Sequence, residues 1–368
     1  MGNVDSSDVQ VRSIVDDDRA AHSYLLFANG QLLRADEGSS THAYVIAELP
    51  NIDQSGGEVR EIKMYAHGNW VCVTERYGLN AALVNLDTGH VRELSREDYC
   101  SECSSYSAGF LEEPGTRRTL LITQTEWNRL DILDAATGER LTQRPASDSE
   151  DGSEEFDYEQ DLDYFHSLLH VSPDSRHFLD NGWIWQPWGV ALLFSADKFR
   201  QGWEHTAMMC EPGTNWDRPA TFLGNDRFVL SMDYRPGTEQ HELGIFAVPD
   251  FRKVPNFLDD EGPENLPELI GYIDCDVFPR DGDGSVWGEL HYDPVRDCLI
   301  AMTETNGTLA LSLTGEILAH MREIVIPERP SMWNHPDRAL GWAYSSKHRV
   351  FYKYDDEGIA ERVLPLGS

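Results

Sequence analysis

Apolar residues gather in short runs rather than along a helical stripe. Ser23 to Ala28, Ala43 to Leu49, Trp70 to Glu75, Thr119 to Thr125, Ala191 to Ser195, Arg227 to Met232, Leu299 to Thr303 and Val350 to Tyr354 are rich in Val, Leu, Ile, Tyr and Trp. Gly, Pro, Asn and Asp turns separate them. Runs of this kind predict β-strands. No long segment carries helical periodicity, which excludes a doubly wound α/β fold and predicts an all-β array.

A repeat decides which array. An apolar run ending in an Asp/Thr-Gly type of turn recurs at Ala35-Asp36-Glu37-Gly38, Leu86-Asp87-Thr88-Gly89, Leu133-Asp134 running to Thr137-Gly138, Ser195-Ala196-Asp197, Val248-Pro249-Asp250, Leu313-Thr314-Gly315 and Asp355-Asp356-Glu357-Gly358. Successive turns lie 42 to 64 residues apart, which brackets a propeller blade with insertions. A second turn sits upstream of a buried run: Glu113-Pro114-Gly115, Ser172-Pro173-Asp174, Asp293-Pro294-Val295 and His335-Pro336-Asp337, with His67-Gly68-Asn69 and Gly224-Asn225-Asp226 in the same role without proline. The residue after each proline precedes the next marker by 19 or 23 positions. Pro presets φ for such a turn.

His170-Val171-Ser172-Pro173-Asp174-Ser175-Arg176-His177-Phe178-Leu179 resembles the inner-strand turn of WD40- and TolB-type β-propeller repeats. Leu290 to Pro294 followed by Cys298 to Ala301 is a looser copy, and Leu83-Val84-Asn85-Leu86-Asp87-Thr88-Gly89 is similar to the third-strand ending of the same superfamily. The resemblance implies architecture and no specific function.

Seven blades of roughly 45 residues account for about 315 and leave about 50 for insertions. The expected fold is a seven-bladed β-propeller of four-stranded antiparallel blades, one domain over residues 1–368, its ring closed by pairing of the chain ends. Six blades are the alternative, because the unit before Leu49 is the least regular. Residues 146–163 are read as an acidic mobile insertion between the third and fourth blades, and residues 256–283 as a Pro/acidic-rich insertion between the fifth and sixth.

Charge narrows the function classes. The chain has 64 acidic against 30 basic side chains, a net −34, and only five lysines. Nucleic acid and anionic membrane surfaces need clustered basic residues and are excluded as partners. A high-salt cytoplasm would favour the same composition. The polar, acidic stretch Met1 to Asp18 lacks a signal-peptide core, and no apolar run reaches bilayer length, so a soluble cytoplasmic protein is expected. Met1 to Ser6 matches the minimal myristoylation pattern without the basic residues of a second membrane signal.

No nucleophile elbow, zinc-protease helix, phosphate-binding loop or dinucleotide fingerprint occurs. Cys72, Cys210, Cys275 and Cys298 read as buried thiols, and Cys100-Ser101-Glu102-Cys103 is half a zinc site, read as two loop thiols. Asp161, Asp163, His166, His170, Asp174 and His177 could hold a divalent ion, His166 and His170 sharing a face. The plainer reading makes these histidines hydrogen-bonded residues of an inner strand. Arg280-Asp281-Gly282-Asp283-Gly284 is read as a solvated turn rather than a calcium loop. Neither cofactor nor metal is expected.

Tryptophan carries the clearest binding signal. Of ten, Trp183, Trp185 and Trp188 concentrate in one hairpin, where packing between blades is expected for two and a protruding anchor for the third. Trp127, Trp216 and Trp333 adjoin turn residues, with Glu126, Asn215, Asp217 and Asn334 as a polar rim. The leading expectation is a non-catalytic intracellular platform binding a basic or amphipathic protein partner, with the acidic insertion as either a solvated linker or a charged arm. The alternatives are a propeller hydrolase or lyase with a carboxylate/histidine site on the axis, and an acidic inhibitor or immunity-type protein of a basic toxin or nuclease.

Overall fold

The computed structural model describes residues 3–4, 10–39, 43–52, 61–143, 162–185, 188–210, 213, 215–232, 242–253, 267–274, 277–278, 286–327 and 340–365. Their strands form seven antiparallel sheets, each built from one continuous stretch of chain. Blade 1 holds β1 (Asn3–Val4), β2 (Val11–Asp16), β3 (Ser23–Ala28), β4 (Gln31–Asp36) and β5 (Ala43–Glu48). Blade 2 is β6 (Ile62–His67), β7 (Trp70–Glu75), β8 (Asn80–Asn85) and β9 (Val91–Ser95). Blade 3 is β10 (Ala108–Glu112), β11 (Thr119–Glu126) and β12 (Arg129–Asp134), followed among the described residues by a bridge between Leu133 and Arg140.

Blade 4 is β13 (Phe165–Val171), β14 (His177–Ile184), β15 (Trp188–Ser195) and β16 (Met208–Met209), with helix α1 (Ala196–Arg200) inserted before the last. Blade 5 is β17 (Ala220–Phe222), β18 (Arg227–Ser231), β19 (Glu242–Ala247) and β20 (Leu269–Asp274). Blade 6 is β21 (Glu289–Asp293), β22 (Cys298–Met302), β23 (Thr308–Ser312) and β24 (Ile317–Met321). Blade 7 is β25 (Ala343–Ser345), β26 (Val350–Asp355) and β27 (Gly358–Val363). The inner strands β2, β6, β10, β13, β17 and β21 contact one another in turn around the axis, and β26 of blade 7 meets β2.

Why the middle strands read as unbroken apolar runs follows from the packing. Alternate side chains of a strand point to opposite faces, and here both faces are covered. Leu25 and Phe27 join Val71, Val73, Ala82 and Val84 in the core between blades 1 and 2. Their neighbours Tyr24, Leu26 and Ala28 pack on Tyr352 and Ile359 of blade 7. Five further cores fill the remaining gaps, so seven inter-blade cores close the ring. The unit before Leu49 is a full blade, which removes the six-blade alternative.

The turn repeat has a physical cause. Third-to-fourth-strand turns place glycine at positive φ against the outer strand of the preceding blade. At Gly89 (φ 70°) a Cβ would stand 2.6 Å from the Ile46 carbonyl oxygen, and at Gly315 (φ 88°) 2.8 Å from that of Asp274. Both the conformation and the close approach require glycine.

Several expectations are corrected. Ser195 starts α1 as its N-cap instead of a turn. The seventh marker, Asp355 to Gly358, closes the hairpin between the second and third strands of blade 7. That blade turns between its first two strands at Ser345 to Arg349, so its 19-residue interval is coincidental. His335-Pro336-Asp337 lies outside the described residues. Residues 256–283 are not simply an inter-blade insertion: they contain β20, which completes blade 5 by pairing with β19. Residues 146–161 fall outside the described residues.

Closure also departs from expectation. Blade 7 borrows no strand from the N-terminal region among the described residues; β1 instead extends blade 1 by pairing with β5. The seam between blades 7 and 1 is made by side chains. The Tyr24 hydroxyl donates to Glu361, whose carboxylate also meets His22 at 2.9 Å. Ser345 donates to Asp16 at 2.7 Å and Lys347 to Asp18 at 2.7 Å. A backbone bond also crosses, from Gly38 N–H to the Ile359 carbonyl at 3.0 Å.

Candidate binding surface

Strands alternate in direction through each blade, so second-to-third-strand turns and blade-to-blade connections share one rim of the ring. On that rim, at blades 3 and 4, the structure brings together four of the six tryptophans marked by sequence. Trp127 sits in the β11–β12 turn, Trp183 near the end of β14, Trp185 in the β14–β15 hairpin and Trp216 in the connection leading to β17. Phe165 of β13 is their common base. Its ring stacks on Trp183 at 3.9 Å and 9°, and lies 4.7 Å from Trp127 and 5.5 Å from Trp185. Trp216 stacks on the other side of Trp183 at 5.3 Å. Tyr99, from the connection between β9 and β10, closes the group at 5.4 Å from Trp127 and 6.3 Å from Trp185.

The base is dry and the top is open. Phe165 and Trp183 are buried, whereas Trp185 is 52 % exposed, Trp188 50 % and Tyr99 46 %. Only one hairpin tryptophan, Trp183, therefore packs inward, not two. Trp127 and Trp216 are half-buried. Trp333 and Asn334 lie outside the described residues.

Buried polar groups fix this cluster. Trp183 Nε1 donates to Ser104 Oγ at 2.8 Å, and Trp216 Nε1 to the Cys103 carbonyl at 2.7 Å. The segment carrying those acceptors is gathered around Arg96, which donates to the carbonyls of Gly78, Ser101 and Ser104 at 2.8 Å and to Gln124 Oε1 at 2.7 Å. Burial lowers the Arg96 guanidinium to about 10, still charged at neutral pH. Asp217 is a second hub. Its carboxylate accepts from Ser105 Oγ at 2.6 Å, Ser167 Oγ at 2.8 Å and the Leu168 amide at 3.0 Å. Asp217 and Asn215 are buried and therefore belong to the foundation, not to the expected polar rim. Sequence reasoning missed Tyr99, Phe165 and Arg96, since their partners lie on other strands and connections, distant in sequence.

The proposed metal cluster is dispersed. His166 Nδ1 meets Asp180 Oδ2 of β14 at 2.6 Å, both side chains fully buried, and burial raises the Asp180 carboxyl against the pull of His166. His170 lines the axial cavity. His177 stacks on Phe251 at 5.5 Å. Asp174 accepts from Ser172 Oγ in the β13–β14 turn. A bulge between Phe165 and Leu168 inverts strand parity, so His166 and His170 face differently. Among the described residues the grouping of ligand-type side chains close enough to share an ion is His22, Glu37 and Glu361, which contains none of these. Cys100 and Cys103 are free thiols, the latter pushed up to about 11 by burial and the Glu102 charge. The stretch 280–284 lies outside the described residues. No described helix is long and apolar enough to cross a membrane.

No family model and no curated protein sequence matches the chain. Solved structures do. "Structure of Dos1 propeller" superposes with a TM-score of 0.53 at 11 % identity, covering 94 % of this chain and 76 % of that one. The crystal structure of Saccharomyces cerevisiae Sqt1 gives 0.52 at 11 % identity, covering 96 % and 84 %. At that identity the likeness is one of fold, and with the seven sheets above it makes the chain a seven-bladed β-propeller.

Proposed function

We propose that this protein is a non-catalytic intracellular interaction platform whose blade 3 and 4 rim holds a basic, amphipathic segment of a partner protein. The observation that carries the reading is the pairing of exposed aromatic rings with a rigid buried base. Trp185 and Tyr99 stand open on Phe165, with Trp188 exposed at the start of the paired strand β15, and large rings held on a packed base are the usual anchors of protein interfaces. Charge selects the partner. Glu97 and Asp98 precede Tyr99, Glu102 follows it, and all three are exposed. The chain as a whole carries −34, which steers basic partners in and repels nucleic acid. A cytoplasmic setting is part of the same proposal and is supported by the reduced thiols.

A random-peptide selection on the folded protein, counter-selected on Trp185→Ser/Trp188→Ser, tests it. The expected pool alternates Lys or Arg with Leu or Phe, and its binding weakens between low and high salt. Identical pools on both proteins, or enrichment of acidic peptides, would overturn the proposal.

A further inference from the structure

The innermost strands surround an axial cavity of about 430 Å³, within the range that accommodates small metabolites. Its wall inverts the sign of the molecule. Arg12, Lys63, Arg76 and Arg218 line it against the carboxylates of Glu61 and Glu289, in a chain whose acidic side chains outnumber its basic ones by two to one.

These cations are not equivalent. Arg76 is committed to Glu61 at 2.7 Å and to Ser105 Oγ at 2.9 Å. Arg12 donates to Gln10 at 2.9 Å. The Lys63 ammonium makes no hydrogen bond or ion pair with any described residue and lies 5.9 Å from the centre of the Tyr65 ring. Ile62 and Met64 on either side of it are buried between blades 1 and 2, so strand alternation turns Lys63 away from that core. The Tyr65 hydroxyl and His170 Nε2, both on residues lining the cavity, are buried without a hydrogen-bond partner. Buried polar atoms are ordinarily paired.

The local electrostatics agree with the charge inversion. Burial would raise the Glu289 carboxyl, yet the hydrogen bond from His291 and the charges of Lys63, His291 and Arg76 hold it at about 2. Burial, reinforced by the charges of Lys63 and His291, pushes His170 down to about 3 and keeps it neutral. The Glu289 response is that of a carboxylate in a positive potential, while burial is the larger cause at His170 and also lowers the Lys63 ammonium.

We propose that the axial cavity is the binding site of a small molecule carrying a carboxylate or phosphate group, with Lys63 as its counter-ion and Tyr65 and His170 as neighbouring hydrogen-bond partners. An ammonium facing an oxyanion away from bulk water makes a strong charge-assisted contact. The site is independent of the rim and selects the opposite charge: a basic side chain entering the cavity would meet Lys63.

Equilibrium dialysis of the full chain with radiolabelled succinate, and separately with radiolabelled inorganic phosphate, tests the proposal and separates the two oxyanion sources. At least one probe binds saturably, and unlabelled succinamide, equal in shape but neutral, does not displace it. Lys63→Met weakens binding by about tenfold or more, whereas Lys63→Arg retains most of it. Glu289→Gln, which removes a like charge from the wall, binds as tightly as the parent or more so, a response that general loosening of the fold would not give. Retention of neither probe by the parent protein, equal retention by Lys63→Met, or displacement by succinamide would each refute the site.

Discussion

Phe165 and Trp183 are partners across the β13–β14 ladder and stack face to face, their ring centres 3.9 Å apart. Every other ring of the rim cluster touches one or both. The pair therefore sets the orientation of the exposed tryptophan above it.

Phe165→Ala removes that base. The substitution is expected to lower stability by about 3–5 kcal/mol, the usual cost of emptying an aromatic site, measured by urea unfolding. Near-ultraviolet circular dichroism should lose its coupled indole bands while the far-ultraviolet spectrum stays β-rich. Retained indole bands would mean that Trp127, Trp183 and Trp185 hold one another without Phe165.

Glu113 gives a pH signature. Hydrogen bonds from Thr116, Arg118 and Arg200 draw its carboxyl from 4.5 to about 2, and Arg200 belongs to α1, so the contact ties blade 3 to blade 4. The folded value lies below the unfolded one, so the stabilisation is complete above about pH 4.5 and disappears as pH falls towards about 2. Glu113→Gln should thus unfold at lower urea than the parent at neutral pH, and the two midpoints should converge on acidification through that window. Parallel curves down to the lowest pH would remove Glu113 as a cause of acid sensitivity.

The seam supplies a contrast between two ion contacts. Glu361 is 8 % exposed and receives the Tyr24 hydroxyl, whereas Lys347 and Asp18 are 51 % and 29 % exposed. Glu361→Ala should cost about 2 kcal/mol by stranding a buried hydroxyl, and amide exchange should rise first in β2 and β27. Asp18→Ala should cost less than about 1 kcal/mol, as open ion pairs do. A larger loss at Asp18 than at Glu361 would reverse this assignment.

The sequence displayed the fold through local signals. Ser23 to Ala28 and Trp70 to Glu75 coincide with β3 and β7 to the residue, because middle strands buried on both faces leave unbroken apolar runs. Proline turns marked the first hairpins of blades 3, 4 and 6 because their geometry is set within four residues. The reading failed where distant chain decides. Leu269 to Asp274 looked like part of a polar insertion because an outermost strand needs no apolar run, only β19 to pair with. His166 and His170 were placed on one face because a bulge is invisible to simple alternation.

The rim shows the same division. Trp183, Trp185 and Trp216 stood out by composition, while Tyr99, more than 60 residues from Phe165, became their neighbour only through the stacking of blades. Asp217 looked like surface polarity beside a tryptophan, and Ser105 and Ser167 from other blades turned it into an interior acceptor. Lys63 carried a signal that went unused: a lysine between Ile62 and Met64 in a chain with four other lysines.

The glycines that close the third-to-fourth-strand turns govern more than their own hairpins. With Gly89 against Ile46 and Gly315 against Asp274, main chain rests on main chain at the circumference, so neighbouring sheets meet there with nothing between them. A methyl group at either point would act as a shim, widening the sector its blade subtends. The missing side chain is thus part of what lets seven sectors share one full turn.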